Sequence, residues 1–239
     1  MISVIIPAYN EEEYIGSCLE SLVHQRTRRP FEIIVVDNHS IDRTASVVRS
    51  FQKRRSIPIR LIREPVRRRG KARHTGFKAA RGDILFSTDA DTILPPYWIE
   101  TFASVLEDDT GALAVTGTFR IDDCSPVING MHTISKLLLV HAFRKVFGNR
   151  WLTGCSFAIR REAYEAAGGF NPDLDAHDDV DLAHRVSRLG RIRFFHRRQV
   201  TVSGRRYRNG FWLGLMEYPR TYIERFWLKK NRVMLSNVR

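Results

Sequence analysis

Short apolar runs alternate with amphipathic stripes through the first half of the chain, and that alternation leaves few folds open. Residues 2–7 (ISVIIP), 31–37 (FEIIVVD), 59–64 (IRLIRE) and 83–91 (DILFSTDAD) read as strands. Between the first two, residues 11–25 carry Ile15, Leu19, Leu22 and Val23 at helical spacing. Residues 40–52 read as a second helix with Ser40 as its cap, and residues 70–82 as a third, ended by Gly82. Residues 95–108 read as a fourth, with prolines at its start. Strands that alternate with helices predict βαβ units, hence an α/β fold: a Rossmann-like, mainly parallel central sheet flanked by helices. Ligands of such sheets bind at the carboxyl ends of the strands.

Three strand ends carry polar clusters on that expected rim. The first is Pro7-Ala8-Tyr9-Asn10-Glu11, the second Asp37-Asn38-His39-Ser40, the third Asp89-Ala90-Asp91. Two carboxylates as close as Asp89 and Asp91 repel each other unless a cation or hydroxyls are offered to them. A hard divalent ion, Mg²⁺ or Mn²⁺, takes such oxygen ligands and keeps sites for substrate phosphates. A plain turn is the alternative, since aspartate is common there. Asp37 suits a hydrogen bond to a base imide or a ribose; it also suits a helix cap, a role Ser40 or Asp42 would otherwise fill. Tyr9 is placed to stack on a base or to pack in the core.

The second half is less regular. Residues 112–120 read as a strand, 128–148 as a long helix, and 152–170 as strand, helix and a Gly-Gly stop. Residues 175–190 read as an acidic loop feeding a helix, with Val180, Leu182, Ala183, Val186 and Leu189 on its apolar side. Residues 191–210 read as a pair of strands. In 177–181, His-Asp-Asp-Val-Asp, the acids complement a helix dipole, but three aspartates exceed what a cap needs, and a general base requires one carboxylate within reach of a proton. No repeat or linker is evident. We expect one domain over 1–239, with a first half (1–118), a second half (119–210) and a basic aromatic segment (211–239).

Composition narrows the partners. Lys and Arg number 39 against 26 Asp and Glu, a formal net charge of +13, which attracts polyanions, anionic lipid or phosphorylated substrates. The basic runs lack the glycine and aromatic interleaving of an RNA-recognition strand, so no specific nucleic acid is expected. The three cysteines fit neither a zinc site nor a disulfide framework. The opening MISVIIPAYN lacks a basic leader and cleavage site, and no run is apolar over the length of a membrane span. A cytoplasmic location is expected.

Taken together, these segments resemble family 2 glycosyltransferases of the GT-A fold, over roughly residues 2–210. VIIPAYNEEEYIGSCLESL is similar to the family's opening strand and helix, and IIVVDNHSIDRT to its second nucleotide-contacting segment. GKARHTGFKAARGD resembles its Gly-x-x-x-Ala-Arg-Asn-x-Gly helix, with His74 for Asn. STDADT resembles its Asp-x-Asp motif. GCSFAIRREAYEAAGGF resembles the acceptor-side segment, and HDDVDLAHRV the Glu-Asp-x-Asp-Leu segment, with Asp178 for Glu. The resemblance implies an inverting transfer of a sugar from a nucleoside-diphosphate sugar, UDP-sugar favoured, to an acceptor hydroxyl or phosphate. Pro7, Ala8, Tyr9, Glu11, Asp37 and, near the ribose, Asp89 would hold the nucleotide, with Lys71 or nearby Arg68 and Arg69 helping at the diphosphate. Asp91, with Asp89, would bind Mn²⁺ or Mg²⁺, and Asp179 would be the catalytic base. Gly154, Asp178, Arg205 and Arg206 would fall on the acceptor or diphosphate side. Many relatives place a metal-binding His after the acidic segment; here TVSGRRYRNG has Ser203 instead, and Arg205 and Arg206 would neutralise the diphosphate.

The acceptor implied is a glycan, a lipid-linked group or a small molecule. The aromatic, basic stretch 211–239 would lie peripherally on the inner face of an anionic membrane, or pack on the sheet or a second subunit. Two rival readings are weighed. Asp-Ala-Asp-Thr also matches a haloacid-dehalogenase-type phosphatase with Asp89 as nucleophile, although that motif belongs on a first strand. A basic nucleic-acid-binding module would account for the charge but not for the three polar strand ends.

Overall fold

The computed structural model describes residues 1–54, 57–122, 151–207 and 221. Five strands in the first half are β1 (Ile2–Ala8), β2 (Phe31–Asp37), β3 (Ile59–Arg63), β4 (Ile84–Ser87) and β5 (Thr92–Ile93). They are joined by helices α1 (Ile15–Val23), α2 (Thr44–Arg54) and α3 (Arg69–Ala79). Helix α4 (Trp98–Asp108) leads to β6 (Ala112–Asp122). After the stretch 123–150 come β7 (Phe157–Arg160), α5 (Arg161–Ala166), α6 (Asp178–Val186), β8 (Arg191–Ser203) and a 3₁₀ turn at Gly204–Tyr207.

The strands form one sheet in the order β3-β2-β1-β4-β7-β6-β8-β5. β1 to β4 are mutually parallel; β7 runs antiparallel between β4 and β6, and β8 runs parallel to β6 and antiparallel to β5. Both faces are covered, which is why β1 and β2 are almost continuously apolar. Alternate side chains serve different layers. Val4, Ile6, Ile33 and Val35 pack with Leu19 of α1 and Trp98 and Phe102 of α4. Ile5, Ile34 and Val36 pack with Phe77 of α3 and Leu182 and Val186 of α6 on the other side. Helix α3 sits close because residue 76 is glycine: a Cβ there would lie 2.5 Å from Ile5 Cγ2 and 2.8 Å from Val36 Cγ2.

Several expected boundaries move. Asp42, not Ser40, caps α2: its Oδ1 accepts from the Thr44 amide at 2.9 Å, while Ser40 Oγ accepts from the Asn10 amide. The opening helix begins at Ile15, because Glu11–Tyr14 form a turn. Helix α3 stops at Ala79 because the turn at Arg81 and Gly82 docks on β1, both amides donating to Ser3 Oγ. The strand expected to reach Asp91 ends at Ser87, which leaves both aspartates in the turn to β5. Residues 191–203 are one strand, not two, with a register shift opposite Gly117 and Phe119 of β6. Leu189 is half exposed beyond the end of α6, off the apolar stripe. The helix expected at 128–148 and the segment 211–239, apart from Thr221, lie outside the described residues. Among the described residues no helix is long and apolar enough to cross a membrane.

Candidate active site

The loops after β1 and β2 are tied together before they present anything to a ligand. Asn10 takes a left-handed φ of 51°, and its Oδ1 accepts from the Ile41 amide at 3.0 Å. The Glu11 amide donates to Thr44 Oγ1 at 2.8 Å, and the Glu12 amide to Asp42 Oδ2 at 3.0 Å. Pro7 and Ala8 are in sheet register with Val36 and Asp37, and the Ala8 side chain is in the core, so these two contribute strand-end backbone. Asp37 is buried and accepts from the Ser40 amide at 3.0 Å. Arg67 lies over the Tyr9 ring, 4.2 Å from its centroid, so a base that reaches Tyr9 also meets a guanidinium. Lys71 is half-buried in the first turn of α3. Its neighbour Arg68 is engaged by Asp173 at 3.1 Å.

Asp89 and Asp91 sit between β4 and β5 at the expected rim. Asp91 lies directly before β5, which pairs with Thr201 and Val202 of β8, and the Ser203 amide donates to the Asp91 carbonyl at 3.2 Å. The turn after β8 therefore returns over Asp91 and delivers Arg205. Its Nη2 donates to Asp91 Oδ2 at 2.8 Å, and Nη1 and Nη2 hold both oxygens of Glu11 at 2.8 and 2.7 Å. Glu11 is buried, and Arg205 also lies over the Tyr14 ring. Burial opposes the Arg205 charge, but the Glu11 hydrogen bonds and Asp91 hold its pKa above the ordinary arginine value.

A second arginine crosses from the same turn to the acidic helix. Arg73 of α3 is buried; Nη2 donates to Asp89 Oδ1 at 2.7 Å and Nη1 to Asp178 Oδ2 at 2.8 Å. Burial works against its charge, but Asp178, Asp89 and Asp179 together raise its pKa. Beside it, Asp179 Oδ2 accepts from the Gly154 amide at 2.9 Å and Oδ1 from the Val180 amide at 2.9 Å. Desolvation and the adjacent Asp178 charge push the Asp179 carboxyl up to about 6, against the pull of Arg73 and the two amides. Residue 154 has to be glycine for this packing: a Cβ would lie 2.6 Å from Arg73 Nη2 and 2.9 Å from Asp179 Oδ2. His177 begins α6 at a left-handed φ of 59°, buried, with Nε2 2.8 Å from Thr221 Oγ1. Burial lowers its pKa to about 4, so it is neutral at pH 7.

The structure thus brings Glu11, Asp89, Asp91, Asp178, Asp179, Gly154 and Arg205 to one rim through two arginine bridges. The Arg206 side chain lies outside the described side chains. Sequence-based expectation does not single out Arg73 or His177. The available signal for Arg73 was an arginine three residues before a glycine on the inward face of a helix. His74, in the neighbouring position, instead has Nδ1 3.1 Å from the Phe170 carbonyl oxygen. The carboxylate oxygens of Asp89 and Asp91 suit a hard divalent cation, and the flanking hydroxyls of Thr88 and Thr92 are buried without a partner among the described residues. Among the described residues, no three His, Cys, Asp or Glu side chains are assembled as a metal cluster. The pair fits an ion that draws further ligands from a diphosphate, provided Arg205 releases Asp91.

This arrangement on this sheet can be set beside known proteins. The model of "Glycosyl transferase family 2" matches residues 3–168. The chain belongs to glycosyltransferase family 2. Probable glycosyltransferase YdaM of Bacillus subtilis is 33% identical over 204 residues, covering 81% of this chain and 48% of YdaM. Among solved structures, the mannosyltransferase PcManGT of Pyrobaculum calidifontis, in complex with GDP-Man and Mn²⁺, is 25% identical with a TM-score of 0.74, covering 95% of this chain and 63% of that one. Staphylococcus aureus TarS in complex with UDP-GlcNAc shares the fold, at 17% identity and a TM-score of 0.66, covering 84% of this chain and 58% of that one. This family 2 chain spans about half to two thirds of the length of these three relatives, and its fold is GT-A. Membership in a transferase family leaves no place for the phosphatase reading of Asp89.

Proposed function

We propose that this family 2 glycosyltransferase performs a metal-dependent, inverting transfer from a nucleoside-diphosphate sugar, with Asp179 as the general base. The observation that carries the reading is the state of Asp179. It is a half-buried carboxylate fixed at both oxygens by amides, raised to a pKa of about 6, and joined to the Asp-x-Asp turn through Asp178 and Arg73. Such a group is ionised at neutral pH and close enough to it in pKa to accept a proton. Asp179 takes the proton of an acceptor hydroxyl as that oxygen bonds to the anomeric carbon. The bond from that carbon to the diphosphate oxygen breaks on the opposite face, the nucleoside diphosphate leaves, and the configuration inverts. Asp91 and Asp89 would hold Mn²⁺ or Mg²⁺, which when bound supplies neutralisation of the departing diphosphate.

Asp37 and Tyr9 favour a uridine donor, and the neighbour carrying GDP-Man makes guanosine the second candidate. The acceptor is a glycan, a lipid-linked group or a small molecule; the basic segment 211–239 favours one presented at an anionic membrane. The test is calorimetric titration of UDP and of GDP, each with and without Mn²⁺, on the wild type and Asp91→Ala. We expect one nucleotide to bind tightly only with Mn²⁺, and that dependence to vanish in the variant. Binding of neither nucleotide, or unchanged metal dependence in Asp91→Ala, would overturn the assignment.

A further inference from the structure

We propose that Arg205 is a resident counter-cation that competes with the divalent metal for Asp91, so that metal and nucleoside diphosphate enter the site together. The inference rests on the reading of Asp91 as a metal ligand. Its observations are geometric. One guanidinium bridges Glu11 and Asp91 with three hydrogen bonds of 2.7–2.8 Å, and the arginine side chain is only 13% exposed. The two carboxylates carry two negative charges and Arg205 returns one. Asp89 is likewise answered by Arg73. A dication arriving alone therefore meets carboxylates already engaged and a fixed positive charge beside them, in a setting where charges are weakly screened.

A diphosphate changes that balance. It offers a guanidinium the planar, two-point oxygen recognition that Arg205 now gives Glu11. Arg205 is well placed to exchange: it sits in the turn immediately after β8, and the β5–β8 pairing holds that turn over Asp91. As the diphosphate draws the guanidinium from Asp91, that carboxylate opens to the metal, and Glu11 retains a share of the arginine. Uptake of the two ligands is then coupled, and by linkage the coupling is reciprocal.

The experiment is Mn²⁺ calorimetry on the protein without nucleotide. Wild type is expected to bind Mn²⁺ weakly, and Arg205→Ala at least tenfold more tightly. UDP or GDP should strengthen Mn²⁺ binding markedly in wild type and far less in the variant. Removing the arginine leaves Glu11 buried beside Asp91, which threatens folding. The double variant Glu11→Gln/Arg205→Gln removes both charges and carries the same expectation. Unchanged or weaker Mn²⁺ binding in the folded variants would overturn the proposal. Asp91→Asn added to Arg205→Ala separates the two ideas: tight binding that survives it places the metal elsewhere and refutes the ligand assignment, whereas its loss confirms that Arg205 guards Asp91.

Discussion

Asp179 differs from its neighbour Asp178 in what answers its charge. Asp178 has a guanidinium at 2.8 Å, whereas Asp179 has two backbone amides. Burial and the adjacent Asp178 charge lift the Asp179 carboxyl to about 6 against the pull of its two amides, which suits it to the chemical role, while Asp178 anchors Arg73. Asp179→Asn should keep nucleotide binding and lower kcat by about 10²–10⁴-fold; near-normal turnover would put the base elsewhere. The pH profile has a definite sign. A base with a pKa of about 6 is protonated below it, so kcat/KM should fall tenfold per unit as pH drops below about 6 and level off above. A profile flat through that region would show that Asp179 does not titrate in the rate-limiting step. The acids themselves were legible in the sequence, because carboxylates at strand ends and helix starts stand out. Their partners were not: Arg205 lies 114 residues from Asp91, and Arg73 lies 105 from Asp178. Only sheet order and helix packing decide which arginine among many reaches which acid.

Helix α3 carries Arg73, and its depth against the sheet decides where the guanidinium points. That depth is set by Gly76, which lies over Ile5 and Val36, both fully buried and unable to retreat. Gly76→Ala gains up to ~1 kcal/mol of helix propensity, while forcing a methyl into a packed contact costs about 1–3 kcal/mol. The second effect should win, with a lower Tm and reduced activity as Arg73 is lifted from Asp89. An unchanged or higher Tm would mean that α3 has slack. Elements with strong periodicity were legible in advance: β1, β2, α1 and α4 lie close to where the pattern predicts them. Failures came where tertiary pairing outweighed local signals. Residues 191–210 read as a pair of strands, but β8 pairs with β6 on both sides of a register shift and runs through as one strand. The two-residue β5 exists because β8 lies beside it and has no signature of its own.

At the scale of the whole molecule, the acids gathered at one rim contrast with a formal net charge of +13. The positive excess therefore lies elsewhere on the chain, and it gives the protein a long-range attraction for anionic surfaces. Flotation with vesicles should show binding when anionic lipid is present, none with neutral lipid, and release at high salt. Absence of binding to both would remove the membrane from the proposal. The order of the strands has one further consequence, for biosynthesis. β6 has β7 and β8 as its neighbours, and β5 pairs with β8, so a nascent chain that has emerged only as far as residue 122 holds two strands with nowhere to dock. The β3-β2-β1-β4 layer is complete by then, but the ladder that brings Arg205 to Asp91 closes only when β8 leaves the ribosome. Translation that terminates before that point yields a chain with half a sheet and without the Arg205–Asp91 contact.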